Sequence, residues 1–257
     1  MTESGKPHDL APWPGLRVVE EISNGPRQRI WRADLRGRPL VVHQSHRSGP
    51  GLDWELKLRA FLRARGVLSP DVLATARGRL RAAQVYVEEF VEGWPPSSEA
   101  EHDLVSSAVA DLHRLTTGHP QRPGFLSIHD LLAADRGGDV DLTRLPEEVV
   151  SLIRHAWRQL PPLPQVVIHA DLRPGNLRIQ NRHCVLLDWD EAHVDSPLLD
   201  LLALPDWEPP EDLGTPRPQV ELAALAWEVA ACWQLEPEYA MGRLQLLRRF
   251  SHQVDGI

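Results

Sequence analysis

The stretch from Ile168 to Asp190 reads IHADLRPGNLRIQNRHCVLLDWD, and it carries more polar chemistry than a core segment needs. It sets His, Asn and Arg side chains and three carboxylates around two apolar runs. The apolar runs predict two short buried strands, QVVIH and CVLLDW, that flank the loop ADLRPGN as a hairpin. Polar side chains grouped at strand ends indicate a ligand site or a metal site.

The positions of these side chains predict a particular chemistry. His169, Asp171 and Asn176 fall at the end of the first predicted strand and in its loop, and Asp188 closes the next strand. On such a hairpin the Asn oxygen and the Asp carboxylate form an oxygen-rich site suited to Mg²⁺, while Asp171 remains free to accept a proton. A metal, a base and a loop in this order are the parts that phosphoryl transfer needs.

The composition restricts the class of protein. The chain has 257 residues, 42% hydrophobic and 25% charged, which is ordinary for a soluble globular protein and leaves room for two lobes. No apolar run approaches the roughly 18 residues of a membrane span, and the polar N-terminal segment lacks a secretory signal. We therefore expect a cytoplasmic protein without a membrane partner. A net charge of −8 without a basic stripe argues against nucleic acid, and Cys184 and Cys232 lie in apolar runs that predict buried thiols.

The first part of the chain predicts a small antiparallel sheet. Between Leu16 and Gln44, the alternating segments LRVVEEI, RIWRADL and LVVHQ are separated by the turn sequences SNGPRQ and RGRP. Apolar residues recurring every three or four positions from Asp53 to Gly66 predict an amphipathic helix that ends at Gly. A further strand pair is predicted over residues 72–75 and 84–91.

The pattern becomes helical beyond Gly93, after a polar, Pro-rich break. Helices are predicted over residues 101–115, 146–160 and 218–235. This change divides the chain into a tail at 1–15, a sheet-containing part at 16–93 and a mainly helical part at 94–257.

The motifs above resemble those of the aminoglycoside phosphotransferase and choline kinase family, protein-kinase relatives that phosphorylate small molecules. HADLRPGN is similar to the family's catalytic loop, His-x-Asp-x-x-x-x-Asn, and LLDWDEA to its metal-binding segment, with 12 residues from Asn176 to Asp188. SPLLDL around Asp200, ADLHRL around His113, the hinge YVEEFVEG and the helix residue Glu55 extend the resemblance. It implies a protein-kinase-like, two-lobed α+β fold with a nucleotide-binding N-lobe and a larger C-lobe for catalysis and substrate binding.

The resemblance also implies roles for single residues. Asp171 corresponds to the base that orients and deprotonates the acceptor hydroxyl, Asn176 and Asp188 to the metal ligands, and His169 to the residue that keeps the loop in shape. The cofactors implied are ATP and Mg²⁺, and the partner is a small-molecule substrate. Asp190 and Glu191 could contact substrate or be solvated, and we expect them to be solvated. The hinge residues, where such kinases bind adenine through backbone groups, are Glu88, Glu89 and Phe90.

One contact of the family to nucleotide is altered. Its third strand carries a Lys that pairs with the α- and β-phosphates and is oriented by the helix Glu, whereas RPLVVHQ offers His43 or Gln44. Glu55 either orients a nucleotide contact or pairs only with Arg59, four residues on. Arg173, two residues after the expected base, is our hypothesis for the replacement positive charge, because Arg stays charged and offers phosphate a fork of donors. A solvated loop residue is the alternative.

Two functions fit these features. The first is a small-molecule kinase, favoured by the intact set of Asp171, Asn176 and Asp188. The second is a nucleotide-binding, non-catalytic relative, favoured by His43. Between Asp206 and Glu238 the chain has eight acidic residues and one basic residue, which suit a cationic acceptor if they face the cleft and otherwise form a solvated acidic surface.

Overall fold

The computed structural model describes residue 7 and residues 10–254, except for the side chains of residues 24, 253 and 254. The chain forms two compact units. Unit 1 contains the described residues up to Ser97 together with Pro174–Asp190, and unit 2 contains Ser98–Arg173 and the described residues from Glu191 onwards. Residues 174–190, which the sequence placed in the second part of the chain, therefore belong with the first.

Unit 1 is built on an antiparallel sheet, and its first three strands confirm those predicted from alternating apolar residues. Inward residues such as Trp31, Leu40, Val42 and Val87 are almost completely buried and form the core of this sheet. The strands follow the spatial order β1-β2-β3-β5-β4. They are β1 (Arg17–Asn24), β2 (Gln28–Leu35), β3 (Arg38–Ser45), β4 (Arg81–Ala82) and β5 (Val85–Glu89).

The predicted strand over residues 72–75 is wrong as a regular strand. Val72 forms a single bridge to Glu88, and Leu73 N donates to Val87 O at 2.8 Å. The reason is the hairpin that closes β4 onto β5 through a turn with Ala83 in the left-handed region at φ 49°. Because β4 pairs with the first residues of β5, only the later residues of β5 can still pair with residues 72–75.

A helix follows the third strand, as predicted, but it begins earlier than the apolar pattern indicated. Helix α1 (Gly49–Arg63) starts after Ser48, whose hydroxyl accepts a hydrogen bond from Gly51 N at 3.2 Å. Ser at this cap and Pro in the first turn are both favourable for helix initiation. The buried residues Leu52 and Leu56 pack against Tyr86 of β5 and fix the helix on the sheet.

Unit 2 is mainly helical. Helices α2 (Glu99–Thr116), α3 (Glu147–Arg158) and α5 (Arg217–Cys232) confirm the predicted ones, whereas α6 (Pro237–Val254) was missed. The core of this unit joins apolar residues of α3, α5 and α6 with residues of the segment between α2 and α3. No helix among the described residues is long and apolar enough to cross a membrane. The elements are α2 (Glu99–Thr116), the hairpin β6 (Arg136–Gly137) and β7 (Val140–Asp141), α3 (Glu147–Arg158), α4 (Leu198–Leu201), α5 (Arg217–Cys232) and α6 (Pro237–Val254).

The hairpin predicted from QVVIH and CVLLDW is wrong in its pairing. Strand β8 (Val166–Ile168) pairs with β11 (His193–Asp195) in unit 2. Strand β10 (His183–Leu186), which contains the buried, free Cys184, pairs with β9 (Leu177–Gln180) in unit 1. The turn Asn181-Arg182 has both residues left-handed, at φ 50° and 63°, which is the geometry that closes a two-residue hairpin.

Trp13 shows that unit 1 extends into the segment predicted as a tail. Its ring is only 3% exposed and packs in the same core as Trp31, and its Nε1 donates to Leu73 O at 2.9 Å. Residues 1–6 and 8–9 of the predicted tail lie outside the described residues.

We predict that Trp13→Ala lowers the free energy of unfolding by about 3 to 5 kcal/mol, because it opens a cavity and removes a buried hydrogen bond. Urea denaturation followed by circular dichroism measures the change. Trp94→Ala is the matched control: this ring is 55% exposed, and its truncation is expected to cost within about 0.5 kcal/mol. Equal losses for the two variants would contradict the assignment of Trp13 to the core.

Candidate active site

The β9–β10 hairpin brings Asn176 and the residue before Asp188 together in unit 1. Leu177 pairs with Leu186, and Leu187 N donates to Asn176 O at 2.8 Å, so Asn176 and Asp188 both flank the open end of the hairpin. Asn176 is buried. Asp188 has a left-handed backbone with φ 57°, which is uncommon for a residue other than Gly. The two predicted metal ligands thus share one end of a hairpin, although the pairing differs from the expected one.

The chemistry of this pair fits Mg²⁺. Both residues offer hard oxygen ligands, and Mg²⁺ typically takes one or two protein carboxylates and completes its shell with phosphate and water. No group of three or more His, Cys, Asp or Glu side chains that could hold a metal is found among the described residues. Asn176 and Asp188 would supply two ligands of such an ion, and phosphate and water would complete its shell.

Both carboxylates of the Asp188-Trp189-Asp190 segment are held by side chains from the strand region of unit 1. Gln28 Nε2 donates to Asp188 Oδ1 at 2.7 Å, and Arg47 Nη2 pairs with Asp190 Oδ2 at 2.7 Å. The expectation that Asp190 is solvated is wrong, because this ion pair keeps its carboxylate in the interior, where it is only 6% exposed. Sequence reasoning missed Gln28 and Arg47, since neither has a local motif.

His43 is one of the two strand residues that we considered for the position of the family's Lys, the other being Gln44. The ring is buried, with Nδ1 3.1 Å from Gln28 Oε1 and Nε2 2.9 Å from Glu88 Oε1. It stacks on Tyr86, with the ring centroids 4.5 Å apart and the planes 3° from parallel. Both ring nitrogens are therefore engaged with side chains of unit 1.

The Glu88 carboxylate links His43 to helix α1. Arg59 Nη2 donates to Glu88 Oε2 at 2.5 Å and to Pro70 O at 2.9 Å, and its Nη1 lies 3.7 Å from Glu55 Oε1. The Glu55–Arg59 pair that we considered as a helix-surface alternative is present, but it lies in the interior. Burial alone raises the pKa of Glu88, yet the charges of Arg59 and His43 outweigh it and lower that pKa to about 2.

The other two hinge residues have their backbone donors occupied within unit 1. Glu89 N donates to Asp71 O at 2.9 Å, and Phe90 N donates to Pro39 O at 3.3 Å. The guanidinium of Arg32 lies 5.1 Å from the centre of the Phe90 ring. That these residues bind adenine through backbone groups stays a prediction. The N–H groups of Glu89 and Phe90 already donate within unit 1, so the prediction now concerns the other backbone groups of this segment.

In unit 2, Asp200 holds the start of the predicted catalytic loop. Its carboxylate accepts hydrogen bonds from His169 N at 2.8 Å and Ala170 N at 2.9 Å, and it lies 3.0 Å from His113 Nε2. Burial raises the pKa of Asp200, but the hydrogen bond and charge of His113 prevail and lower it. Ala170 is left-handed at φ 66°, and the two backbone bonds hold this costly conformation.

Asp171 follows directly on this constrained backbone. Its Oδ2 lies 3.2 Å from Arg173 Nη2, and the Arg173 side chain is 65% exposed. Glu228 of α5 lies within the field of Asp171: burial is the main cause that raises the Glu228 pKa, and Asp171 adds to it, while Arg243 opposes the shift. Tyr239 OH donates to Glu228 Oε2 at 3.2 Å. The expected base is thus accompanied by one cation on its own loop and by a second carboxylate.

Comparison with known proteins confirms the family that the sequence motifs indicated. The sequence model of the phosphotransferase enzyme family named APH matches residues 18–239, and the chain belongs to this family. A comparison with curated protein sequences gave no match.

Solved structures confirm the kinase-like two-lobed α+β class. A microcompartment-associated aminopropanol kinase is similar with a TM-score of 0.64 and 18% identity over 95% of this chain and 96% of that chain. An amicoumacin kinase in complex with AMP-PNP, Ca²⁺ and Ami gives a TM-score of 0.62 and 13% identity over 93% of this chain and 88% of that chain. A thermostable mutant of an aminoglycoside phosphotransferase, in ternary complex with AMP-PNP and hygromycin B, gives 0.61 and 16% over 92% and 95%.

We predict that Glu88→Gln destabilises the protein by roughly 3 kcal/mol near neutral pH, because it leaves Arg59 and His43 without their shared carboxylate. The pKa of Glu88 is lowered from its ordinary 4.5 to about 2, so its contribution is full above 4.5 and is lost as the pH falls towards 2. The free-energy difference between wild type and variant, from urea denaturation at a series of pH values, is therefore expected to shrink over this window.

The neighbouring Glu89→Gln is the control for this experiment. Glu89 lies 3.8 Å from Arg38 and 4.0 Å from Arg63 and is much more exposed, so its substitution is expected to change stability little at any pH. A pH-independent difference for Glu88→Gln would contradict the assigned charge.

Proposed function

We propose that the protein is an ATP- and Mg²⁺-dependent small-molecule kinase that transfers the γ-phosphoryl group to a hydroxyl of a small acceptor. The observation that carries the proposal is the placement of Asn176 and Asp188 at one end of a hairpin, in family order after the Asp171 loop. Membership of the phosphotransferase family supports it. The similar solved structures that contain AMP-PNP support a nucleoside triphosphate as the donor of the phosphoryl group.

In the proposed reaction Asp171 accepts the proton of the acceptor hydroxyl. The hydroxyl oxygen forms a bond to the γ-phosphorus, the bond from that phosphorus to the β–γ bridging oxygen breaks, and ADP leaves with the electron pair. Asn176 and Asp188 would hold Mg²⁺, which when bound neutralises phosphate charge. Arg173 is proposed to add positive charge at the transferring group, and His169 to keep the loop in shape together with Asp200. Glu55, Glu88 and His43 are proposed to support the nucleotide site from the interior of unit 1.

The acceptor class is supported by charge. Glu228 and Asp171 are close enough that the charge of Asp171 contributes to the raised pKa of Glu228, and two neighbouring carboxylates favour a cationic acceptor over an anionic one. Arg243 forms an ion pair with Glu228 and offsets part of this field. An amine-bearing alcohol, aminoglycoside-like or choline-like, is therefore the class to test first, followed by other hydroxylated metabolites.

A nucleotide-binding, non-catalytic role is the second candidate, and the environment of His43 favours it. Both ring nitrogens are engaged inside unit 1, so the strand offers phosphate no free donor of the kind a Lys provides. Thermal shift with ATP, with and without Mg²⁺, followed by ADP release across acceptors, separates the two functions. Tight Mg²⁺-dependent binding without turnover on any amine-bearing alcohol would favour the non-catalytic role.

We predict that Asp188→Ala abolishes the Mg²⁺-dependent part of stabilisation by ATP, because the variant lacks the carboxylate ligand. The measurement is the shift in melting temperature with ATP and Mg²⁺ relative to ATP alone. Asp103→Ala, which removes an exposed carboxylate from α2, is the matched control and is expected to keep the wild-type shift. A folded Asp188→Ala protein with the wild-type shift would exclude Asp188 as a metal ligand.

We predict that Asp171→Asn lowers the transfer rate by about 10²- to 10⁴-fold, the usual contribution of a positioned base, while ATP affinity changes little. The rate is measured as acceptor-dependent ADP formation, and the affinity by calorimetry. Asp103→Asn serves as the control. A parallel loss of rate and ATP affinity would instead assign Asp171 to the structure of the loop.

A further inference from the structure

His43 lies in a continuous hydrogen-bonded chain that ends at Asp188. Gln28 Nε2 donates to Asp188 Oδ1 at 2.7 Å, Gln28 Oε1 lies 3.1 Å from His43 Nδ1, and His43 Nε2 lies 2.9 Å from Glu88 Oε1. An ionised carboxylate can only accept hydrogen bonds. The Gln28 amide must therefore turn its NH₂ group to Asp188 and its oxygen to His43.

This orientation determines what His43 must offer to Gln28. The Gln28 oxygen can only accept a hydrogen bond, so the contact with His43 is complete only when the proton is on Nδ1. Without that proton, the Nδ1 lone pair would face the Gln28 oxygen in a buried site, where an unmade hydrogen bond costs about 1 to 3 kcal/mol.

The His43 ring is itself held in place from strand β5. Its Nε2 lies 2.9 Å from Glu88 Oε1, and the ring stacks on Tyr86 with the centroids 4.5 Å apart. These two contacts direct Nδ1 towards Gln28.

We infer that the Nδ1–H of His43 fixes the Gln28 amide so that its NH₂ group holds Asp188. His43 and Gln28 are then positioning residues rather than contacts to nucleotide. The hydrogen-bonded chain is independent of the proposed function, whereas the value of a fixed Asp188 for metal binding rests on it.

Imidazole ¹⁵N–¹H correlation spectra of the nucleotide-free, ¹⁵N-histidine-labelled protein test the position of the proton. The His43 signals, assigned by their loss in His43→Gln, are expected to show a protonated Nδ1, because that proton completes the contact with Gln28. A spectrum in which Nδ1 of His43 carries no proton would overturn the inference, and neither result depends on turnover.

Gln28→Leu tests the positioning role. Loss of a residue that orients a metal ligand typically weakens metal affinity by about 10- to 100-fold, so the Mg²⁺ concentration needed for half-maximal stabilisation of the ATP complex is expected to rise by that factor. Gln219→Leu, on α5 in unit 2, is the control and is expected to leave it unchanged. A folded Gln28→Leu protein with wild-type Mg²⁺ dependence would overturn the positioning role. Loss of Mg²⁺ dependence in the wild type as well would instead contradict the proposed function.

Discussion

The buried contact between Arg59 and Glu88 is the constraint on which unit 1 depends. A guanidinium and a carboxylate removed from water are tolerated only when each is paired, because an isolated buried charge costs several kcal/mol. Arg59 meets this requirement with Glu88, Glu55 and Pro70 O, and thereby ties helix α1 to strand β5 and to the segment before it. The other oxygen of Glu88 contacts Nε2 of His43. The ion pair with Arg59 of helix α1 therefore fixes the carboxylate against which the His43 ring is placed.

This shared carboxylate connects the interior of the sheet to the predicted metal ligands. In the chain from Glu88 to Asp188, His43 uses one ring nitrogen for each neighbour, and Gln28 uses its oxygen for His43 and its nitrogen for Asp188. Turning the Gln28 amide over, or removing the proton between it and His43, would therefore disrupt the neighbouring contact. Hydrogen bonds in a water-poor interior are strong when complete and costly when incomplete. An arrangement of this kind gives Asp188, with its uncommon left-handed backbone, a fixed side-chain direction before any ligand binds.

The sequence predicted what is encoded locally and missed what depends on distant pairing. Strands β1 to β3 and helices α2, α3 and α5 follow from alternation and helical periodicity, and the motif around Asp171 follows from the family resemblance. The hairpin error has a local cause. LRIQ, directly after the loop motif, is a strand of only four residues, and the turn residues Asn181 and Arg182 are its main local signal. Gln28 and Asp188 are 160 positions apart, and Arg47 and Asp190 are 143 apart, so no periodic pattern reveals either contact.

A His in place of the family's strand Lys would change what this side chain can reach. A Lys ammonium on a flexible stem can reach a phosphate and rotate its three donors. The His43 ring lies flat on Tyr86 with both nitrogens engaged, so it has neither the reach nor a spare donor. Under the proposed function, the nucleotide needs positive charge from another side chain. The Arg173 guanidinium is exposed beside Asp171 and can supply donors without giving up a buried contact. An exposed Arg therefore suits the role proposed for it better than the buried ring of His43 would.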